Sequence, residues 1–187
     1  MRGRSVGAVG NGLGKVEVRL KWDPSPLGES PRHLDIVAGT YSTDDPFGKP
    51  VYVVHYASRS PDGTINMNRH SQTGQGFGFV EVMSLEFDRL SSAYARVVVG
   101  VVIHQEPVPR TFGDMSNAGV VIVEGYEELL ADDFSGLADS TAATFAEFTR
   151  NDAGRWDLHE VIRGSDSDPA GFMAEMGAVH HNRPPGL

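Results

Sequence analysis

The chain has 187 residues, no cysteine, a formal net charge of −9 and a pI of about 5.1. These values exclude disulfides, thiolate metal sites and a cysteine nucleophile, and they argue against nucleic acid or an anionic membrane as the main partner. The length suits one domain with a full core. The 22 glycines and 11 prolines favour short strands joined by turns over a helical bundle.

Residues 1–14 are glycine-rich without periodicity and read as a flexible leader. Basic residues near the start have no apolar stretch after them, so they do not make a secretory signal. No apolar run is long enough to cross a membrane as a helix, and a cytoplasmic protein is expected. Residues 15–22 alternate without a fault: Val16, Val18, Leu20 and Trp22 on one face, Lys15, Glu17, Arg19 and Lys21 on the other. That is a half-buried antiparallel strand, ended by Asp23-Pro24-Ser25-Pro26.

Residues 34–41 predict a second strand, interrupted at Gly39, and residues 51–56 a third. Ser60-Pro61-Asp62-Gly63 is a turn. Asn68 to Gly78 follows as a loop with glycines at 74, 76 and 78, the spacing of a segment that wraps a ligand. Residues 79–85 predict a strand after it. Residues 97–103 are apolar except Gly100, as in a central strand buried on both faces. Residues 118–123 and 127–134 predict a pair across Gly125-Tyr126. Residues 142–150 and 155–163 flank Asn151-Asp152-Ala153-Gly154 as a hairpin, although the first arm has enough helical propensity to pass for a helix. Asp168-Pro169 has the chemistry of a helix start, so 169–176 predicts a short helix. Residues 179–187 read as a disordered tail. About eight short strands point to a β-sandwich, with one domain over 15–178.

Few residues carry chemistry by themselves. Asp35 lies inside an apolar strand and is either outward-facing or, if buried, paired or ligated. His104 follows a buried strand, as a structural hydrogen bonder or as a ligand or base. His33, His55, His70 and His159 show no metal-spaced pair. Asp44-Asp45 and Asp132-Asp133 read as solvated turn residues. There is no nucleophile elbow and no phosphate loop. A hydrolase using His104 with Asp114 or Glu106 is a remote reading, because no nucleophile or oxyanion arrangement accompanies them.

The order of several motifs resembles the TerD family of tellurite-resistance and stress-response proteins. Val18-Arg19-Leu20-Lys21-Trp22-Asp23 resembles its early strand, and Leu34-Asp35 its Asp-Leu-Asp-Ala motif. Ser60-Pro61-Asp62-Gly63-Thr64 resembles its Ser-Pro-Asp-Gly turn, and Thr73-Gly74-Gln75-Gly76 its Thr-Gly-Glu-Gly loop. Val102-Ile103-His104, then Phe112 to Ala118, then Phe145-Ala146-Glu147-Phe148 with Trp156, follow in the family's order. The resemblance covers roughly 16–164.

It implies an all-β sandwich of two mostly antiparallel sheets with no catalytic centre, acting with protein partners in a bacterial stress-response system; an exposed sheet edge near the glycine-rich leader would separately permit assembly with copies of itself. It also implies calcium sites in adjacent loops, which are acid-rich because calcium takes six to eight oxygens. Here the family's first Asp is His33, the start of its loop is Arg69-His70-Ser71, and its loop Glu is Gln75. Asp35 and Glu81 remain, with neutral oxygens at Ser71, Thr73 and Gly74 as the rest of a degenerate site. Calcium is therefore expected to bind weakly or not at all; the alternative keeps a working calcium site on these residues. Phe77 and Phe79 stand where the family has acids, and strand alternation would put both on one face. They either pack the loop or expose an apolar patch for a partner.

Overall fold

The alternation at the start of the chain becomes strand β2 (Lys15–Lys21), with Val16, Val18 and Leu20 buried and Trp22 buried just beyond it. The computed structural model describes residues 5–6 and 12–178. The other strands are β1 (Ser5–Val6), β3 (Leu34–Ser42), β4 (Tyr52–Val54), β5 (Ile65–Arg69), β6 (Glu81–Glu86), β7 (Tyr94–Ile103), β8 (Gly119–Glu124), β9 (Glu127–Asp132), β10 (Ala142–Arg150) and β11 (Trp156–Ser165), followed by one helix, α1 (Pro169–Glu175). They form two sheets, β1-β11-β10-β7-β3-β4 and β5-β6-β2-β8-β9. Every pairing is antiparallel.

The inward faces of the two sheets meet in one core that includes Val18, Leu20, Ile36, Met83, Leu85, Val99, Val101, Ile122, Phe145 and Phe148. Strand β7 is apolar at almost every position because it is covered twice. Val97, Val99, Val101 and Ile103 face this core. Val98 and Val102 face outward, under Phe172 and Met176 at the helix end of the chain. Gly100 makes that cover possible: a Cβ there would lie 2.8 Å from the Phe172 ring and 2.7 Å from the Ala143 carbonyl oxygen. Helix α1 starts where its sequence predicts, with the Asp168 carboxylate accepting the Gly171 amide at 2.8 Å and proline at the first turn.

Several expected boundaries differ. Eleven strands are described, where about eight are expected. Strands β1 and β5 have no counterpart among the expected ones; Asn66, Asn68 and Arg69 of β5 are polar because it is an edge strand, paired with β6 alone. Gly39 does not interrupt β3; it pairs with both Val98 and Val53. The leader is a further correction. Ser5 and Val6 pair with His159 and Leu158 of β11, and Leu13 is buried in the core. Residues 1–4 and 7–11 of the expected leader, and the tail at 179–187, lie outside the described residues.

Arg96 ties the chain's end to the first sheet. Its guanidinium pairs with Glu147, donates to the carbonyls of Gly177 at 2.7 Å and Pro46 at 3.1 Å, and lies 4.9 Å from the ring centroids of both Tyr41 and Phe47. Removing a buried, multiply bonded cation leaves its partners unsatisfied. Arg96→Ala is expected to lower unfolding stability by about 3 kcal/mol. Arg89→Ala, at an exposed pair with Glu86, is expected to cost no more than about 1 kcal/mol. Chemical denaturation of both variants measures the contrast.

Candidate metal centre

Strand register brings the first histidine pair together. Leu34 of β3 faces Ile103 of β7, so His33 and His104 fall opposite each other at the strand ends. The His104 amide donates to the His33 carbonyl at 2.9 Å, and the two rings stack at 3.9 Å with an interplanar angle of 4°. Residues two apart on extended chain share a face, which places His33 beside Asp35. His33 Nε2 lies 3.1 Å from Asp35 Oδ1, and His104 Nε2 makes a close contact with Asp35 Oδ2. Asp35, 1% exposed, is thus held on both oxygens.

The second sheet closes the site. His70 directly follows β5, and Glu81 is the first residue of β6. Glu81 has the parity of Met83 and Leu85, so its side chain points into the sandwich and is 0% exposed. Strand β4 covers β3 only from Ala38 to Thr40. Below that cover the Ile36 amide donates to Glu81 Oε1 at 2.8 Å. Glu81 Oε2 has no hydrogen-bond partner among the described residues, and neither has either ring nitrogen of His70. Yet His70 Nδ1 lies 3.4 Å from Glu81 Oε2 and 3.5 Å from Asp35 Oδ1. These atoms converge without the alignment of hydrogen bonds. Tyr56 stacks on the His70 ring at 4.6 Å and 6°, fixing its plane.

The electrostatics follow from burial. Burial and the neighbouring Asp35 charge push the Glu81 carboxyl up to about 9, against an ordinary 4.5; the Ile36 and Ser71 amides offset only part of this. Burial also opposes ionisation of Asp35, but hydrogen bonds from His104 and His33 outweigh it and hold Asp35 below the usual carboxylate range. Burial lowers the His70 pKa, which favours the neutral ring. The cluster contains one firm carboxylate, one carboxyl held towards its neutral form, and imidazoles around both.

Asp35 and Glu81, read from the sequence as remnants of a metal site, are therefore brought together. Ser71, Thr73 and Gly74 serve the loop instead. Ser71 Oγ accepts the Gly74 amide at 2.9 Å, and Thr73 Oγ1 accepts the Gln75 amide at 3.3 Å. Gly74 has φ +80°, and a Cβ there would come within 2.5 Å of the Trp22 indole nitrogen. Its glycine is required by that close approach. Phe77 and Phe79 do not share a strand face, because they precede β6 with Gly78 at φ +65° between them. Phe77 is 97% exposed, which rules out the packed-loop reading for it. Phe79 is half-buried beside Lys21, on a groove of about 680 Å³ shared with Met115 and Asp132. Asp114 caps its own 3-10 turn by accepting the Thr111 amide, and Glu106 is exposed. His104 is partnered by Asp35 instead.

His33 and His70 are the site residues that sequence spacing misses. The signal was the His33-x-Asp35 alternation, together with strand ends that an antiparallel register sets side by side.

Calcium fits this donor set poorly. It prefers six to eight oxygens, several charged. The two three-residue groups that converge on Asp35 are His33–Asp35–His104 and Asp35–His70–Glu81, which supply three imidazoles and two carboxyl groups. Imidazole is a ligand for transition metals.

The TerD domain family model matches residues 3–175 of the chain. The chain is 25% identical over 178 residues to the tellurium resistance protein TerD of Serratia marcescens, covering 92% of each. It is 27% identical over 172 residues to the uncharacterized protein YceE of Bacillus subtilis, covering 89% of each. Its fold is similar to the crystal structure of a Streptomyces coelicolor homologue of the telluride resistance protein, with a TM-score of 0.88 and 62% identity, covering 90% of this chain and 100% of that one. A crystal structure of a protein of unknown function is similar at a TM-score of 0.89 and 56% identity, covering 90% of this chain and 99% of that one.

The raised Glu81 pKa has a consequence for stability in metal-free protein. Between the unfolded value near 4.5 and the folded value of about 9, folded Glu81 holds a proton that the unfolded chain has released. Its contribution is fully present below the lower value and is lost as pH rises through the window. Glu81→Gln removes this dependence. In chelator, the native chain is expected to lose stability relative to Glu81→Gln from pH 5 to pH 9, measured as the difference in denaturation midpoint.

Proposed function

The chain belongs to the TerD family, and from that premise we propose that it is a non-enzymatic module of a tellurium-resistance or stress-response system whose calcium site no longer favours calcium. The donor set around Asp35 carries this reading. Nitrogen donors stand at 33, 70 and 104, and burial disfavours ionisation of the second carboxyl group, Glu81. A hard ion with many oxygens to satisfy gains little there. The glycine loop adds little, since Ser71 and Thr73 accept their own loop's amides.

A binding role suits the same observations better than catalysis. The His104 ring is engaged by buried Asp35 and stacked on His33. Asp114 is occupied within its turn. Neither places a nucleophile against a base. Phe77 presents a bare aromatic ring on the loop beside the site, as a contact for a protein partner. No helix among the described residues is long and apolar enough to cross a membrane, and the acidic balance accords with a cytoplasmic setting.

Two measurements test this reading. Ligand at a hundred times its dissociation constant stabilises a fold by about 2.7 kcal/mol, worth several degrees in a domain of this size. Thermal unfolding in millimolar calcium is expected to match unfolding in chelator; a rise of several degrees would sink the loss of calcium preference. Phe77→Ser is expected to leave the melting temperature unchanged, since the ring lies outside the core. A marked drop would contradict the exposure of the ring and sink its assignment as a partner contact.

A further inference from the structure

We propose that the cluster around Asp35 is a site for a divalent transition metal of the zinc class, held by Asp35, His70 and Glu81, with His33 at its margin and His104 fixing Asp35 from behind. This rests on the reading that calcium no longer fits, and it assigns the same side chains a different ion.

Donor spacing is the first argument. Zinc bonds of about 2.0–2.1 Å at tetrahedral angles set neighbouring donors roughly 3.3 Å apart. His70 Nδ1 lies 3.4 Å from Glu81 Oε2 and 3.5 Å from Asp35 Oδ1. His33 Nε2 lies 3.1 Å from that same Asp35 oxygen. Two edges of the Asp35–His70–Glu81 triangle thus stand close to coordination length, and its three donors all lie within 4.8 Å of one another, without the alignment that would make His70 a hydrogen-bond donor to either acid.

Unsatisfied atoms are the second argument. Glu81 Oε2 is buried with no aligned hydrogen bond among the described residues, on a residue that is 0% exposed. Both His70 nitrogens are buried without partners as well. Buried polar atoms are almost always paired, and here two of the unpaired ones, His70 Nδ1 and Glu81 Oε2, stand 3.4 Å apart. A cation between them satisfies both carboxylates and the imidazole together. Mixed imidazole and carboxylate donors suit zinc, nickel, cobalt and copper rather than calcium or magnesium.

Pre-organisation is the third. Tyr56 holds the His70 ring, His104 holds the His33 ring, and the Ile36 amide fixes the other oxygen of Glu81. His104 on Asp35 Oδ2 is the outer contact that orients a ligating carboxylate.

The test titrates the full chain, stripped with chelator, by calorimetry with zinc and with cobalt, and with calcium in parallel. One equivalent of zinc is expected to bind and to raise the unfolding temperature. Cobalt is expected to give the intense visible bands of a four- or five-coordinate site. Glu81→Gln and His70→Gln, both close in shape to the native residue, are expected to abolish binding while remaining folded by circular dichroism. His104→Gln is expected to weaken zinc by about 10–100-fold, the usual loss for an outer-shell partner, with the cobalt spectrum unchanged. A paired His180→Ala, His181→Ala variant is expected to bind as the native chain does. Zinc binding that vanishes in that tail variant, or that survives both Glu81→Gln and His70→Gln, overturns the proposal. A native chain that binds neither zinc nor calcium overturns it too, but leaves the loss of calcium standing; calcium binding without zinc binding overturns both.

Discussion

A carboxylate that is 1% exposed at the start of a central strand must be compensated, and this end of the molecule is organised by how Asp35 is compensated. Both its oxygens are taken up by imidazoles on the strand ends beside it. Its charge in turn sets the state of its neighbours. Together with burial it drives Glu81 towards the neutral form. Three histidines, two of them distant in the chain, stand within reach of Asp35. The rest of the sandwich serves to hold these strand ends in register.

That support comes from both sides of the first sheet. The main core fixes β3 and β7 from within, and the helix, through Phe172 and Met176, covers Val98 and Val102 from without. Arg96 binds the segment after the helix to the same strands. Side chains at the strand ends thus project from a backbone held on two faces. A donor set needs such a frame if its atoms are to stay within a few tenths of an ångström of coordinating positions.

Much of the fold was legible in the sequence because period-two alternation is a local signal. β2, the hairpin of β10 and β11, and the helix start could all be read from consecutive residues. β5 could not, because an edge strand has a solvent-facing side and Asn66 and Asn68 resemble loop. The site was half legible. Asp35 stood out as an acid in an apolar strand and His104 as the end of one, whereas Glu81 stood out only as an acid that remains beside the loop when the chain is set against the family it resembles. His33 and His70 lie 37 residues apart in the chain and meet only through two sheets, so no spacing rule connects them. The glycine loop drew attention for a sound reason, but Gly74 answers to the Trp22 indole rather than to an ion.

The three histidines of the cluster each lie next to a strand terminus or at its end, and none belongs to the hydrophobic core. Replacing a residue at 33, 70 or 104 therefore alters chemistry without removing a packed methyl group. An exchange of oxygen for nitrogen at these three positions leaves the packed core of the sandwich untouched. The chemistry at this end of the molecule is set by side chains that the fold does not need for its packing.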